Sequence, residues 1–277
     1  MALLTPAGVR ALLAEHVLRP SRALGQNFLA DPNTARRIVR IAGVEAGDRV
    51  LEIGAGLGSL TLALLEREAH VLALERDRKL QGVLEQVVGG QGDARVVTGD
   101  ALDVDFAALL GTETWRCVSN LPYNVATPVI VRLLEEAPSV ESALVMVQRE
   151  VAERLVAGPG SRAYGAVSVR IGYYAHARIA GMVPRTVFVP APKVDSALVE
   201  LIRRDAPPVD VPSPERLFEL VRAGFAHRRK MLRRTLPAVL GEETMSLLDD
   251  AGIDPRARPE SLGLVEWAAL ARAEVAA

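Results

Sequence analysis

Cysteine is nearly absent from this chain: Cys117 is the only one in 277 residues. That excludes an internal disulfide framework and any cysteine-rich zinc site, and it fits a reducing compartment. The four histidines, His16, His70, His176 and His227, are scattered, and no metal is expected. Lysine is rare too, with only Lys79, Lys193 and Lys230 among 33 basic residues; GC-rich codon usage explains that bias as readily as phosphate chemistry does. No run reaches the ~18–20 uncharged apolar residues of a bilayer span, and Arg10 and Glu15 interrupt the start of the chain before a signal-like segment can form. A soluble, cytoplasmic protein without a membrane partner is the expectation.

What is present is apolar enough to fold. The chain is 49 % hydrophobic and 24 % charged, which excludes intrinsic disorder, and its length suits one large domain or a core domain with a small satellite. The net charge of −1 hides a segregation. From Leu220 to Leu240 there is no acidic residue, whereas Arg222, Arg228, Arg229, Lys230, Arg233 and Arg234 are all basic.

Short apolar runs alternate with helical patterns through the first two-thirds of the chain, the signature of an α/β fold with a parallel sheet covered by helices. Residues 49–53, 70–74, 94–98, 116–119, 142–147 and 196–202 read as strands; most are nearly continuous in apolar residues, as strands buried on both faces are. Asp31-Pro32 and Thr127-Pro128 read as helix starts, a capping side chain before a proline. Four prolines between Asp205 and Pro214 mark a linker, so the expected domains are 1–204 and a small, entirely helical 205–277. The basic 220–240 segment has helical period.

Glu52-Ile-Gly-Ala-Gly-Leu-Gly58 follows a strand and precedes an apolar helical run. Its glycines allow a tight turn and close backbone approach to a ligand, but the G-x-G-x-G spacing differs from the G-x-G-x-x-G of dinucleotide binders. Glu75, Asp100 and Asn120 stand at the carboxyl ends of successive strands, the edge where open α/β sheets bind ligands. Any one of them alone reads as a solvated strand end. Together they describe a nucleoside-shaped site: one acid for both ribose hydroxyls, one for an adenine amine, and no phosphate-binding cation. S-adenosylmethionine fits that description.

Asn120-Leu-Pro-Tyr-Asn124 follows. An adenine exocyclic amine is a poor nucleophile because its lone pair is delocalised into the ring, so acceptors must hold its hydrogens. The Asn120 side-chain oxygen and the Leu121 carbonyl, on a backbone fixed by Pro122, are candidates, and Tyr123 offers a face on which an extruded base can stack, worth about 1–3 kcal/mol. The bland reading is a proline-kinked turn around a buried tyrosine.

Five blocks, Gly25-Gln-Asn-Phe-Leu29, Glu52 to Gly58, Asn120 to Tyr123, Phe188-Val-Pro-Ala-Pro-Lys-Val-Asp-Ser196 and Phe225-Ala-His-Arg-Arg-Lys230, occur here in the order seen in the ribosomal RNA adenine dimethyltransferases. The chain resembles that family from about residue 20 to 270, most closely its bacterial small-subunit branch. The resemblance implies a Rossmann-like, class I S-adenosylmethionine-dependent methyltransferase domain with a small C-terminal helical domain. It implies that Gln26, Asn27, Leu29, Gly54, Gly56, Glu75, Asp100, Ala101 and Asn120 bind the donor, leaving S-adenosylhomocysteine as product. It implies that Tyr123 and Phe188 grip the target adenine; without it, the Phe188 to Ser196 block reads as an ordinary loop. The basic segment would contact RNA phosphates, although His227 stands where many relatives carry a polar amide.

Methyl transfer from a sulfonium is a single displacement that rests on alignment and needs no covalent intermediate or general base. The expected activity is dimethylation of two adjacent adenines near the 3′ end of 16S rRNA, on a 30S particle or its precursor, by a monomer that serves small-subunit biogenesis. The alternatives are a large-subunit methyltransferase of the macrolide-resistance type and a non-catalytic nucleic-acid-binding factor of the same fold.

Overall fold

The computed structural model describes residues 2–21 and 23–276. Among these described residues nine strands form: β1 (Phe28–Leu29), β2 (Arg49–Ile53), β3 (His70–Glu75), β4 (Ala94–Thr98), β5 (Trp115–Asn120), β6 (Val140–Gln148), β7 (Ala175–Val183), β8 (Phe188–Val189) and β9 (Ser196–Arg203). Seven make one sheet in the order β4-β3-β2-β5-β6-β9-β7, and β1 pairs with β8 apart from it. The pairs among β4, β3, β2, β5 and β6 are parallel, and β9 runs antiparallel to β6. The expected α/β architecture is present, with all six anticipated strands.

Three strands were not anticipated. β7 carries the sequence Ala-His-Ala-Arg-Ile-Ala-Gly-Met-Val with only its ends fully buried, so neither alternation nor a continuous apolar run announces it. It lies at the sheet edge, where little packing is demanded. β1 and β8 are two residues each, and only their mutual pairing makes them strands.

The helix starts at Asp31-Pro32 and Ser213-Pro214 follow the capping logic. Asp31 accepts from Thr34 N at 2.6 Å ahead of Pro32, and Ser213 accepts from Arg216 N at 3.2 Å ahead of Pro214. Thr127, however, is not a cap. The helix begins at Ala126 after Val125, so Thr127 and Pro128 lie inside its first turn, where the proline is tolerated because the first backbone N–H groups have no intrahelical partner.

The chain divides into two compact units: residues up to Ala152 with Ala177–Arg203, and Glu153–His176 with the chain from Arg204 onward. The anticipated 204/205 division falls within one residue of an edge of that partition, but the second unit also includes the helix Ala166–Tyr174. Inside the second unit the Tyr173 and Phe218 rings meet edge-on at 5.3 Å, and Tyr164 Oη donates to the Leu262 carbonyl at 2.9 Å. Sequence order alone conceals this, because the helix precedes the last three strands.

The second unit also corrects the reading of the basic segment as one helix. The helix Pro214–Phe225 stops, a turn follows, and Leu232–Thr235 and Pro237–Leu240 are separate short helices. Leu220, Val221 and Gly224 bury against the same core as Trp267, and a Cβ on Gly224 would lie 2.5 Å from the indole. His227 to Lys230 supply no apolar side chain to continue that stripe, and Pro237 starts a new helix. Among the described residues no helix is long and apolar enough to cross a membrane, and no group of three or more histidine, cysteine or acidic side chains could hold a metal ion.

Candidate active site

The carboxyl ends of β2, β3 and β5 open onto one cleft. Gly54, Gly56 and Gly58, all with positive φ, carry the chain from β2 into the helix Ser59–Leu65. All three are also crowded: a Cβ on Gly54 would lie 3.1 Å from Pro122 Cδ, one on Gly56 3.1 Å from the Phe28 ring, and one on Gly58 3.0 Å from Leu84 Cδ1. The glycine loop and the Asn120–Tyr123 loop are therefore in near contact.

Glu75 ends β3 and is 8 % exposed. Its Oε2 accepts from Gly56 N and its Oε1 from Asp77 N, both at 2.8 Å, so it fastens the glycine loop while each oxygen keeps a lone pair for a ligand hydroxyl. Burial pushes its carboxyl above the ordinary range against the pull of those backbone donors. Asn120 ends β5, and its Nδ2 donates to the Asn27 carbonyl at 3.3 Å, leaving Oδ1 as the atom to accept. Leu121 N donates to Met146 O at 3.2 Å, Pro122 O accepts from Val125 N at 3.2 Å, and Tyr123 Oη shares a 2.6 Å hydrogen bond with Ser196 Oγ. On the opposite wall Gln26 Nε2 donates to Asp77 Oδ2 at 2.8 Å, and Asn27 Nδ2 to Gly25 O at 3.1 Å.

Ten of the anticipated site residues line this cleft: Gln26, Asn27, Leu29, Gly54, Gly56, Glu75, Asn120, Leu121, Pro122 and Tyr123. Three lie outside its lining. Asp100 is paired with Arg76 Nε at 3.1 Å and accepts from Leu102 N, and the buried Ala101 gives its carbonyl to Arg132. Phe188 is 3 % exposed and is held in β8 opposite Leu29. Phe28, Ser59, Arg76 and Asn124 line the cleft without having been singled out; Phe28 sits inside the Gly25–Leu29 block that sequence already flagged.

Glu52 opens the flagged Glu52–Gly58 block but has no role assigned from sequence. It is 1 % exposed, lines the cleft, and accepts from Thr61 Oγ1 at 2.6 Å. A lone acid within an apolar buried strand was its available signal. Burial raises its carboxyl to about 8. The folded protein thus holds this proton more tightly than the unfolded chain, and the associated stability is lost as pH rises from about 4.5 to about 8. Glu52→Gln keeps the side chain's size and its bond to Thr61 but removes the titration. Urea unfolding at several pH values is expected to show a wild-type slope of up to about 1.4 kcal/mol per pH unit in that window, less steep in the variant. Glu75, shifted in the same direction, retains its own share; equal slopes would overturn the assignment.

In the second unit Arg222, Arg229, Lys230, Arg233 and Arg234 are exposed. Arg228 differs: it bridges to Glu260 at 2.7 Å and donates to the Ser161 carbonyl at 3.1 Å.

The family described as "Ribosomal RNA adenine dimethylase" matches residues 18–272 of this chain. The Ribosomal RNA small subunit methyltransferase A of Thermobifida fusca (strain YX) is 51 % identical over 276 residues, covering 97 % of this chain and 95 % of that protein. A dimethyladenosine transferase from Plasmodium falciparum superposes with a TM-score of 0.75 at 25 % identity, over 88 % of this chain and 95 % of that one. The 23S rRNA methyltransferase ErmE superposes with a TM-score of 0.67 at 29 % identity, over 89 % of this chain and 99 % of that one.

Proposed function

Because this chain belongs to the ribosomal RNA adenine dimethylase family, we propose that it dimethylates the exocyclic amines of two adjacent adenines in the 3′-terminal hairpin of 16S rRNA, within the 30S particle or its precursor, as a cytoplasmic monomer. It is an S-adenosylmethionine-dependent rRNA adenine dimethyltransferase. The observation that carries the assignment of the site is one cleft holding Glu75 at one end and Asn120 with Tyr123 at the other. A 23S substrate is disfavoured, since small-subunit relatives reach 51 % identity against 29 % for ErmE.

The chain's own groups fit a nucleoside-bearing donor. The positive-φ glycine loop lets the ligand approach backbone, and the Glu75 carboxylate is fixed by two N–H donors with lone pairs to spare for ribose hydroxyls. When bound, S-adenosylmethionine supplies an electrophilic methyl group on a sulfonium. Asn120 Oδ1 and the Leu121 carbonyl hold the two hydrogens of the incoming amine, orient its lone pair, and stabilise the positive charge that develops on nitrogen. Tyr123 stacks on the base. Water takes the proton released by the methylated nitrogen, so no side chain acts as base. Phe188 serves as the second face of the grip only once β8 yields its buried ring, and Asp100 reaches an adenine amine only beside or in place of Arg76. The exposed basic side chains from Arg222 to Arg234 hold RNA phosphates, a salt-sensitive contact that carries no sequence information.

The test is nucleoside mass spectrometry after incubation of the protein and labelled donor with 30S particles lacking these modifications. Two dimethyladenosines per 16S rRNA are expected, none in 23S rRNA, and none with Glu75→Ala. Label confined to 23S rRNA, or background counts on 30S particles, would refute the proposal.

A further inference from the structure

Tyr123 is tied to a strand two places away in the sheet. The order is β5-β6-β9, and Tyr123 lies just beyond β5, yet its Oη meets Ser196 Oγ, the first side chain of β9, at 2.6 Å. The antiparallel direction of β9 makes this possible. Its first residue pairs with Gln148, the last residue of β6, while Asn120 pairs with Met146 on the other side of β6. The start of β9 is thereby delivered to the carboxyl edge of the parallel strands, where the cleft opens. Ser196 is fully buried, and its backbone is pinned in the β6 ladder. The preceding residue is fixed as well: the Asp195 carbonyl accepts from Arg149 N at 3.1 Å and its Oδ1 accepts from Arg185 N at 2.9 Å.

A tyrosine side chain can occupy several staggered wells about χ1, each placing the ring elsewhere, so a half-buried ring on a loop has no single position unless its far end is held. The hydroxyl is the only handle there, and it is held by an immobile partner. We propose that Ser196 is a positioning residue for the acceptor base: its hydroxyl fixes where the Tyr123 ring, on which the target adenine stacks, stands in the site, without touching either substrate. The inference rests on the assignment of Tyr123 to the adenine. It gives the last residue of the Phe188–Ser196 block a task that the sequence did not disclose.

The burden should fall on the acceptor and not on the donor, because Ser196 is not among the residues lining the cleft that holds Glu75. Ser196→Ala is expected to lower kcat/KM for 30S particles about five- to tenfold, the scale of one hydrogen bond, with donor affinity by calorimetry within about twofold of wild type. Tyr123→Phe removes the same bond from the other side without altering buried volume and should lower it equally. The double variant should be no slower than either single one, and Ser196→Thr, which restores a hydroxyl, should recover most of the rate. A wild-type rate for Ser196→Ala, losses that multiply in the double variant, or an equal loss of donor affinity would each overturn the proposal. Tyr123→Ala separates the two layers. If it turns over normally, the assignment of Tyr123 to the adenine falls; if it is inactive while Ser196→Ala and Tyr123→Phe are unimpaired, only the positioning role falls.

Discussion

Asn120→Ala is expected to lower the single-turnover rate of methyl transfer about 10²–10³-fold, the range seen when one preorganised polar group facing developing charge is removed. The reason is geometric. Asn120 ends β5 in a six-residue pairing with β6, and its Nδ2 is engaged by the Asn27 carbonyl at 3.3 Å, so Oδ1 is presented without further reorganisation. Alanine removes both the acceptor for the amine hydrogen and the tie to the Asn27 wall. Asn120→Asp distinguishes the two. It keeps an acceptor oxygen but opposes the Asn27 carbonyl with a second negative oxygen, so it should retain more methyl transfer than alanine while weakening donor affinity more. Rapid-quench measurement at saturating donor, with calorimetry alongside, reads both. A fall confined to donor affinity in both variants would remove Asn120 from the chemistry.

The second large effect concerns stability and lies far from the chemistry. Arg203, the last residue of β9, donates to the carbonyls of Val140 at 2.8 Å, Leu134 at 2.8 Å, Leu133 at 3.3 Å and Ala137 at 2.9 Å. Leu133 and Leu134 lie in the last turn of the helix Ala126–Glu136, Ala137 caps it, and Val140 opens β6. The last four carbonyls of any helix lack an intrahelical donor, and here a single guanidinium answers several of them with charge-assisted bonds and a favourable sign toward the helix dipole. Arg203→Ala should destabilise this corner by about 2–3 kcal/mol, the cost of leaving partly buried acceptors unpaired, less what entering water restores. Hydrogen exchange read by mass spectrometry is then expected to speed up about 30- to 150-fold in peptides covering residues 126–137, with the second unit unchanged. Unaltered exchange there would show that water replaces the guanidinium without loss.

How far the sequence could be read depended on the kind of residue concerned. Short apolar runs such as Val71 to Leu74, buried on both faces, suit a parallel strand, and the proline-marked starts at Asp31 and Ser213 are local events completed within four residues. The glycine loop and Asn120 to Tyr123 were legible for the same reason, since each is one uninterrupted stretch at a strand end. The basic segment misled because charge says nothing of where a helix stops; the missing apolar stripe after Phe225 does. Thr127 misled because the proline signal tolerates any position in the first turn.

The alternation of strands and helices along the chain, the glycine loop, the Asn120–Tyr123 loop and the side-chain caps at Asp31 and Ser213 were set by the chain locally, because each depends on residues within a few positions of one another. Other facts belonged to the assembled sheet alone. They include the antiparallel delivery of Ser196 to Tyr123, the commitment of Asp100 to Arg76, the burial of Phe188 behind Leu29, and the sharing of one guanidinium among carbonyls more than 60 residues away. Each is a contact between segments far apart in sequence, created when burial of apolar faces fixes strand order and register, and no periodicity along the chain encodes it.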